Sequence, residues 1–564
     1  MSAQWISGPW KEYTRPARNC RLRALAGADG VNRQSPSVNR TPDQPTGATI
    51  PPCETAASRA AARRLWWPAL LSGLLGLGLY AVNLGGTYIY DDVDLVYGGD
   101  LRVQHPRLWG QFWTRDYFHG GLDQLYRPLV SQSFGLQWWL HGDRPWAFHL
   151  VNILLHAGVA AAVAELGRRL AGWRVGLIAG TLFAAHPVHV EAVAAIVSRT
   201  ELACALGVLC AMVVFLRRPM TVARAFGVFA LSVVAMLSKE QGMLIPALLV
   251  ALLLVRRPQP ASERQGMMWL AMLLLWSVSG LIVLREEVLH LKFEWARVFL
   301  DWTIQPLMRS HGADRWLIPI ALVGRYFRLL VLPTRLSIDY GAAVIQPTIR
   351  PSDPYLLLGA AVISAWIIGA IVCLLGRRWL ALFCLLAMAI TYSMVANIIL
   401  IADIFAERLV YLPSAFFLIL VAMGLARLPG RAWIAALLIL LGLSCLRSYT
   451  YARQWNDRDG FYAYSLAHQP ASARIQLLTA EIARQEGRLD DARQILLQGR
   501  NLIPDYWQLW LHAGAVEEDA GNYALAVDYY RKAFDMHPSN ALGDCLARAE
   551  QKMRRSSATS RSTR

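Results

Sequence analysis

From about residue 65 the chain alternates long apolar runs with short Arg-rich breaks, a pattern that predicts a polytopic helical membrane protein. The runs lie at about 65–84, 146–167, 175–190, 194–216, 224–238, 241–255, 267–284, 355–375, 379–402, 409–427 and 431–447. Crossing the hydrocarbon layer takes about 20 apolar residues in a helix, so the first run is long enough and several others are short. If all eleven cross, Arg168-Arg169, Arg217-Arg218, Arg256-Arg257, Arg377-Arg378 and Arg427 with Arg431 fall on one face. By the positive-inside bias that face is cytoplasmic, and so is the N-terminus. The C-terminus is then outside.

One segment resists the pattern. Residues 316–333 are apolar but carry Arg325 and Arg328. Counting them as a crossing would place Arg377-Arg378 outside. The region 286–354 therefore reads as one exterior loop with a re-entrant or interfacial helix, and 85–145 as another, lying on the membrane surface. Residues 1–64 are polar, Arg-rich and broken by Pro and Gly, which predicts a disordered cytoplasmic tail. The membrane domain is then 65–447.

Beyond it the composition turns soluble. Gly487 and Gly521, Ala492 and Ala526, and Pro504 and Pro538 recur at about 34 residues, the period of a tetratricopeptide repeat. Residues 448–552 read as a tetratricopeptide α-solenoid, and 553–564, rich in Ser, Thr and Arg, as a disordered tail. The fold class is all-α: a membrane bundle followed by helical repeats.

Composition agrees. Of 564 residues 55% are hydrophobic and 17% charged, and the mean hydropathy is +0.33, too apolar for an ordinary soluble enzyme. The net charge of +17 is spread as short clusters between apolar runs rather than as a patch, which argues against nucleic acid. The eight cysteines have no metal-site spacing and imply no disulfide framework.

The chemistry gathers at the exterior ends of the runs. Asp91, Asp92 and Asp94 follow the first. His149, Asn152 and His156 lie on adjacent turns of the second. His186, His189 and Glu191 close the third, with Arg199 after them, and Lys239-Glu240, Asp339-Tyr340 and Glu407-Arg408 come later. Charges at the ends of spans carry a desolvation cost, so their collection on one side predicts a shared hydrated cavity for an anionic ligand. Simpler readings exist: the three acids as a solvated loop, and Lys239-Glu240 and Glu407-Arg408 as loop ion pairs. His186, His189 and Glu191 could also ligate a metal, although Pro187 disturbs their helix and the spacing is not that of a zincin.

The acidic pair after the first span, Tyr126-Arg127-Pro128-Leu129, Phe148-His149 with Asn152 and His156, HPVHVEA at 186–192 with Ser198-Arg199, Ser238-Lys239-Glu240, Asp339-Tyr340 and ERLVYLPS from Glu407 together carry a likeness. Over about residues 65 to 540 the chain resembles the transmembrane and tetratricopeptide repeat-containing O-mannosyltransferase family, which belongs to the C-type glycosyltransferases. The short repeat array and the Arg-rich N-terminal tail look more like a bacterial relative.

The resemblance implies transfer of one sugar, mannose by preference, from a polyprenyl phosphate to an acceptor hydroxyl on the exterior face, with protein Ser/Thr as the favoured acceptor and a lipid or envelope glycan as the alternative. Asp91 or Asp92 would be the base, acting with inversion. Arg127, Arg199, Lys239 and Arg408 would hold the donor phosphate, and His149, His186, His189, Glu191, Glu240, Asp339 and Glu407 would line the cavity. A divalent cation bridging the acids and the phosphate, with His186, His189 and Glu191 as further ligands, is compatible with this. The repeats would hold the acceptor protein or, alternatively, another copy of the chain. A bacterial inner membrane with periplasmic repeats is expected, the alternative being the endoplasmic reticulum with luminal ones. A transporter with a partner-binding module is the competing class, and the spans lack the internal repeat it would show.

Overall fold

The computed structural model describes residues 66–97, 100–117, 125–256, 263–289 and 302–562. The chain divides into Met1–Ala56 and Ala57–Arg564; all described residues belong to the second. The tail expected at 1–64 lies outside the described residues.

The helices are α1 (Trp67–Tyr80), α2 (Pro128–His141), α3 (Pro145–Ala171), α4 (Trp173–Ala185), α5 (Val190–Ala194), α6 (Arg199–Phe215), α7 (Val222–Ser238), α8 (Ile245–Leu252) and α9 (Arg264–Leu289). They continue as α10 (Asp314–Val331), α11 (Pro354–Leu375), α12 (Trp379–Ser393), α13 (Tyr411–Leu425) and α14 (Ala432–Gln454). Local sequence sets many of their ends. Pro128, Pro145 and Pro354 occupy first-turn positions, where a missing N–H costs nothing. Asp353 caps α11 by accepting from the Tyr355 and Leu356 amides at 2.8 and 3.1 Å.

Among the described residues seven helices are long and apolar enough to cross a membrane. The pair α4–α5, bent by 53° at Pro187, makes an eighth candidate, and α7, α8 and α12 are shorter apolar helices. These are the eleven runs read from the sequence. The protein is a helical membrane bundle followed by helical repeats.

Within the bundle α3, α6 and α13 are central. Meanwhile α9, α11 and α14 expose Trp276, Ile368 and Leu443 by 60–70%, the apolar surface that lipid covers. Small residues bring the inner helices together. A Cβ on Gly180 would lie 2.4 Å from both Ala164 Cβ and Ser72 Oγ, so this position locks α1, α3 and α4 into contact.

The expected exterior loops carry more structure than a surface loop. Within 85–145, α2 packs Phe134 against Phe112 and Phe148, and the buried Arg102 pairs with Asp100 at 2.9 Å while donating to the Asp116 and Tyr117 carbonyls. Aromatic burial and that ion pair turn the loop into a packed cap. The segment 316–333 forms most of α10, which folds back along α11. A Cβ on Gly324 would lie 2.2 Å from Tyr355 O, and one on Gly359 would lie 1.9 Å from Ile320 O. Arg325 sits over the Tyr355 ring at 4.2 Å and Arg328 donates to the Tyr355 hydroxyl, so these two arginines stay at the packed, polar end of the helix.

After α14 come α15 (Arg458–His468), α16 (Ala473–Gln485), α17 (Leu489–Leu502), α18 (Trp507–Asp519), α19 (Tyr523–Met536) and α20 (Asn540–Ser562). Gly487 and Gly521 take φ of +76° and +78° in the turns α16–α17 and α18–α19, while Ala492 and Ala526 are fully buried. The sequence period is therefore a repeated helical hairpin. α20 extends to Ser562, through residues expected to form a disordered tail. Arg548 and Lys552 anchor it to Glu518, and Met553 joins the cluster around Tyr530.

These helices are tied to the bundle. Asn456 donates to the Val82 carbonyl at 2.9 Å, Tyr90 N donates to Tyr462 Oη at 3.2 Å, and Ser472 donates to Asp339 Oδ2 at 2.6 Å.

Candidate active site

The loop after α1, the start of α2, the N-terminus of α6, the α7–α8 turn, the loop after α12 and the first turn of α16 surround a cavity of about 850 Å³. One part of its wall is charged. The other, with Met243, Ile282 and Ile398–Ile401, is apolar.

Asp91 lines this cavity; Asp92 does not. The Asp92 side chain is 1% exposed and accepts three amide hydrogen bonds, from Val197 at 2.9 Å, Ile196 at 3.2 Å and Ile89 at 3.4 Å. Burial pushes its pKa up to about 7 against the pull of those amides. Asp91 instead has Arg474 Nη2 at 3.7 Å. Burial raises its pKa, and Arg474 and then Arg408 oppose the rise. Tyr90, just before it, has φ +61°, a costly conformation for a residue with a side chain, held by Tyr462 and by Arg474 over its ring at 4.3 Å. Asp94, the third acid of that stretch, also lines the cavity.

Three of the four proposed phosphate ligands reach the wall. Arg127 meets Glu240 at 3.1 Å, Lys239 pairs with Glu201, and Arg408 pairs with Glu191 and with Asp403, the latter at 2.6 Å. Among the described residues Arg127 Nε and Glu240 Oε1 are buried without hydrogen-bond partners, polar groups whose satisfaction calls for a ligand or water. Arg199 does not reach the wall. It is buried under α2 and α3, donating to Asn152 Oδ1 at 3.1 Å, Ser133 Oγ at 2.9 Å and the Phe148 carbonyl at 3.2 Å.

The histidines are also framework. His186 bonds the Leu330 carbonyl at 2.9 Å and accepts from Val188 N, while His189 bridges the Phe183 carbonyl and Ser414 Oγ, both at 2.8 Å. His149 is buried beside Gly86, where a Cβ would lie 2.8 Å from its Nε2. None of the three lines the cavity. Glu407 accepts from Ser337 N and Tyr340 Oη, both at 2.7 Å, and Asp339 from Ser472, so each pins a loop. Glu191 lies behind Arg408 and orients it.

The proposed cation set therefore does not fit. Asp92 is held by amides, Glu191 by Arg408, and the ring nitrogens of His186 and His189 are engaged. No group of three His, Cys, Asp or Glu among the described residues stands close enough to hold a metal ion.

Sequence reading missed Arg474, Glu201 and Asp403. Arg474 belongs to a helical repeat, far along the chain from every exterior motif. Asp403 lies five residues before its partner Arg408, so a search for a local counter-charge finds it, whereas Glu201 pairs with Lys239, 38 residues on, a contact only the fold makes.

Comparison with known proteins points the same way as the motifs. Protein O-mannosyl-transferase TMTC4 of Mus musculus is 26% identical over 471 residues, 73% of this chain and 63% of the relative. Protein O-mannosyl-transferase F38B6.6 of Caenorhabditis elegans is 27% identical over 447 residues, 76% and 62% of the two chains. The sequence is similar to those of protein O-mannosyl-transferases. A shorter stretch of 192 residues is 35% identical to protein O-mannosyl-transferase TMTC2 of Mus musculus, covering 32% of this chain and 23% of that relative. The chain thus spans less than two thirds of the length of these O-mannosyl-transferases. No family model matches it.

Proposed function

We propose that the protein is a membrane glycosyltransferase that moves one sugar, mannose by preference, from a polyprenyl phosphate to a Ser or Thr hydroxyl of an acceptor protein. The observation that carries this reading is one cavity in which Asp91, the paired cations Arg127, Lys239 and Arg408, and an apolar flank meet. The similarity to protein O-mannosyl-transferases supports the choice of sugar and acceptor.

In this mechanism Asp91 is the base. It takes the proton of the acceptor hydroxyl as that oxygen bonds to the anomeric carbon and the bond from that carbon to phosphate oxygen breaks. A single base acting in line inverts the anomeric centre. The departing polyprenyl phosphate gains negative charge, which Arg127, Lys239 and Arg408 stabilise. Each arrives already paired with a carboxylate, so the site is stable when empty and the phosphate shares the cations. The isoprenoid chain lies along Met243, Ile282 and Ile398–Ile401. Asp92 positions its neighbour by fastening the loop to the amides of Ile196 and Val197, and Arg474 opposes the rise that burial gives the Asp91 pKa. Helical repeats beside the cavity hold the acceptor chain. The N-terminus is cytoplasmic and the repeats are exterior, in the periplasm of a bacterial cell.

The test is transfer of labelled mannose from polyprenyl phosphate mannose to protein in membranes bearing wild type or Asp91→Asn. Loss of transfer by a variant that inserts and elutes normally supports the reading. Undiminished transfer overturns it.

A further inference from the structure

A second cavity, of about 240 Å³, lies between α10, the start of α11 and the α15–α16 junction. It shares no lining residue with the first. Arg325, Arg328 and Arg335 line it, and no Asp or Glu does. Arg328 donates to Tyr355 Oη at 2.5 Å and Arg325 lies over the same ring. Neither Arg325 nor Arg335 has a hydrogen bond or ion pair among the described residues.

The carboxylates near the cavity are committed elsewhere. Asp353 caps α11, and Glu407 accepts from Tyr340 and Ser337. Three like charges around a small cavity of reduced dielectric repel one another, and an anion between them removes that cost. Guanidinium groups match the oxygens of a phosphate in pairs, which selects that anion by shape as well as charge.

The apolar surroundings name its carrier. Val331 and Leu332, between Arg328 and Arg335, are 58% and 57% exposed, and Leu357, one turn along α11 from Asp353, is 58% exposed. We propose that Arg325, Arg328 and Arg335 form a phosphate site that takes the headgroup of an anionic lipid, with its acyl chains along Val331, Leu332 and Leu357. The bound lipid steadies the segment from Leu336 to Val344 and, through Asp339 and Ser472, the start of α16.

The experiment uses the full chain in neutral detergent, stripped of lipid and then offered phosphatidylglycerol or phosphatidylcholine in native mass spectrometry. Wild type should retain phosphatidylglycerol at least about tenfold more tightly than phosphatidylcholine, about 1.4 kcal/mol. The double variant R325Q/R335Q should lose the preference, and R325K/R335K, which keeps the charge, should retain most of it. Displacement by inorganic phosphate would uphold the phosphate site and give it to a free anion; resistance would assign it to the lipid. An undiminished preference in R325Q/R335Q overturns the site. If that variant elutes as aggregate, R335Q alone, altered at an exposed residue, decides in the same way. The outcome does not depend on sugar transfer.

Discussion

Arg474, in the first turn of α16, stands 3.7 Å from Asp91, in the loop after the first span. More than 380 residues separate them, and the contact carries a cation from the helical repeats into the wall of the membrane cavity. That relationship puts the first repeat helix at the cavity wall, and it leads to the first prediction.

Arg474 lowers the pKa of Asp91, whose burial raises it. With Asp91 as the proposed base, transfer requires its ionised form, so the rate should climb with pH through an acidic limb. Removing the cation should move that limb to higher pH. R474Q is expected to shift it upward and R474K to restore it, read from initial rates between pH 4 and 8. A uniform loss of rate with the limb unmoved would reduce Arg474 to a packing role.

Asp91 and Asp92 should separate in their effects. Asp91→Asn should cut transfer about 10²- to 10⁴-fold, the usual contribution of a general base, with little change in thermal stability. Asp92→Ala leaves buried amides without an acceptor, at about 1–3 kcal/mol each. Thermal unfolding in detergent should show the second variant clearly destabilised and the first near wild type.

Glu191 reaches Arg408 twice, through a side-chain ion pair and by accepting the Arg408 amide at 2.9 Å. Glu191→Gln should lower stability by about 1–3 kcal/mol, because a charged hydrogen bond is weakened in a buried position. It should also raise KM for the lipid-linked donor more than it lowers kcat, since Arg408 keeps Asp403 but loses its fixed direction.

Gly324 lies against the Tyr355 backbone, which cannot move aside as a side chain can. Gly324→Ala should force α10 away from α11 and destabilise the protein by about 1–3 kcal/mol. Gly280 has nothing within 4 Å of an added Cβ, so Gly280→Ala is the neutral control in the same melting experiment.

The eleven apolar runs were legible because hydrophobic length is a local property, counted along a stretch of chain without knowing its neighbours. The repeat was legible for a similar reason: Gly487 and Gly521 take positive φ in equivalent turns and Ala492 and Ala526 are buried at equivalent contacts. The motifs were legible as a set but not by role. HPVHVEA looked like a ligand cluster, and its histidines turned out to bond carbonyls and a serine, because burial selects polar side chains that satisfy the backbone as strongly as a site selects those that meet a ligand.

The sequence by itself determined a membrane bundle, its repeats, and the loop that carries Asp91 and Asp92. Only the tertiary structure decided which of those two acids faces the cavity. Adjacent residues have the same composition and nearly the same position along the chain, but their side chains leave the backbone in different directions. One meets the amides of Ile196 and Val197, about a hundred residues away, and the other meets a cavity closed by Arg474. Direction is set by what packs around the loop, and those partners come from distant parts of the chain.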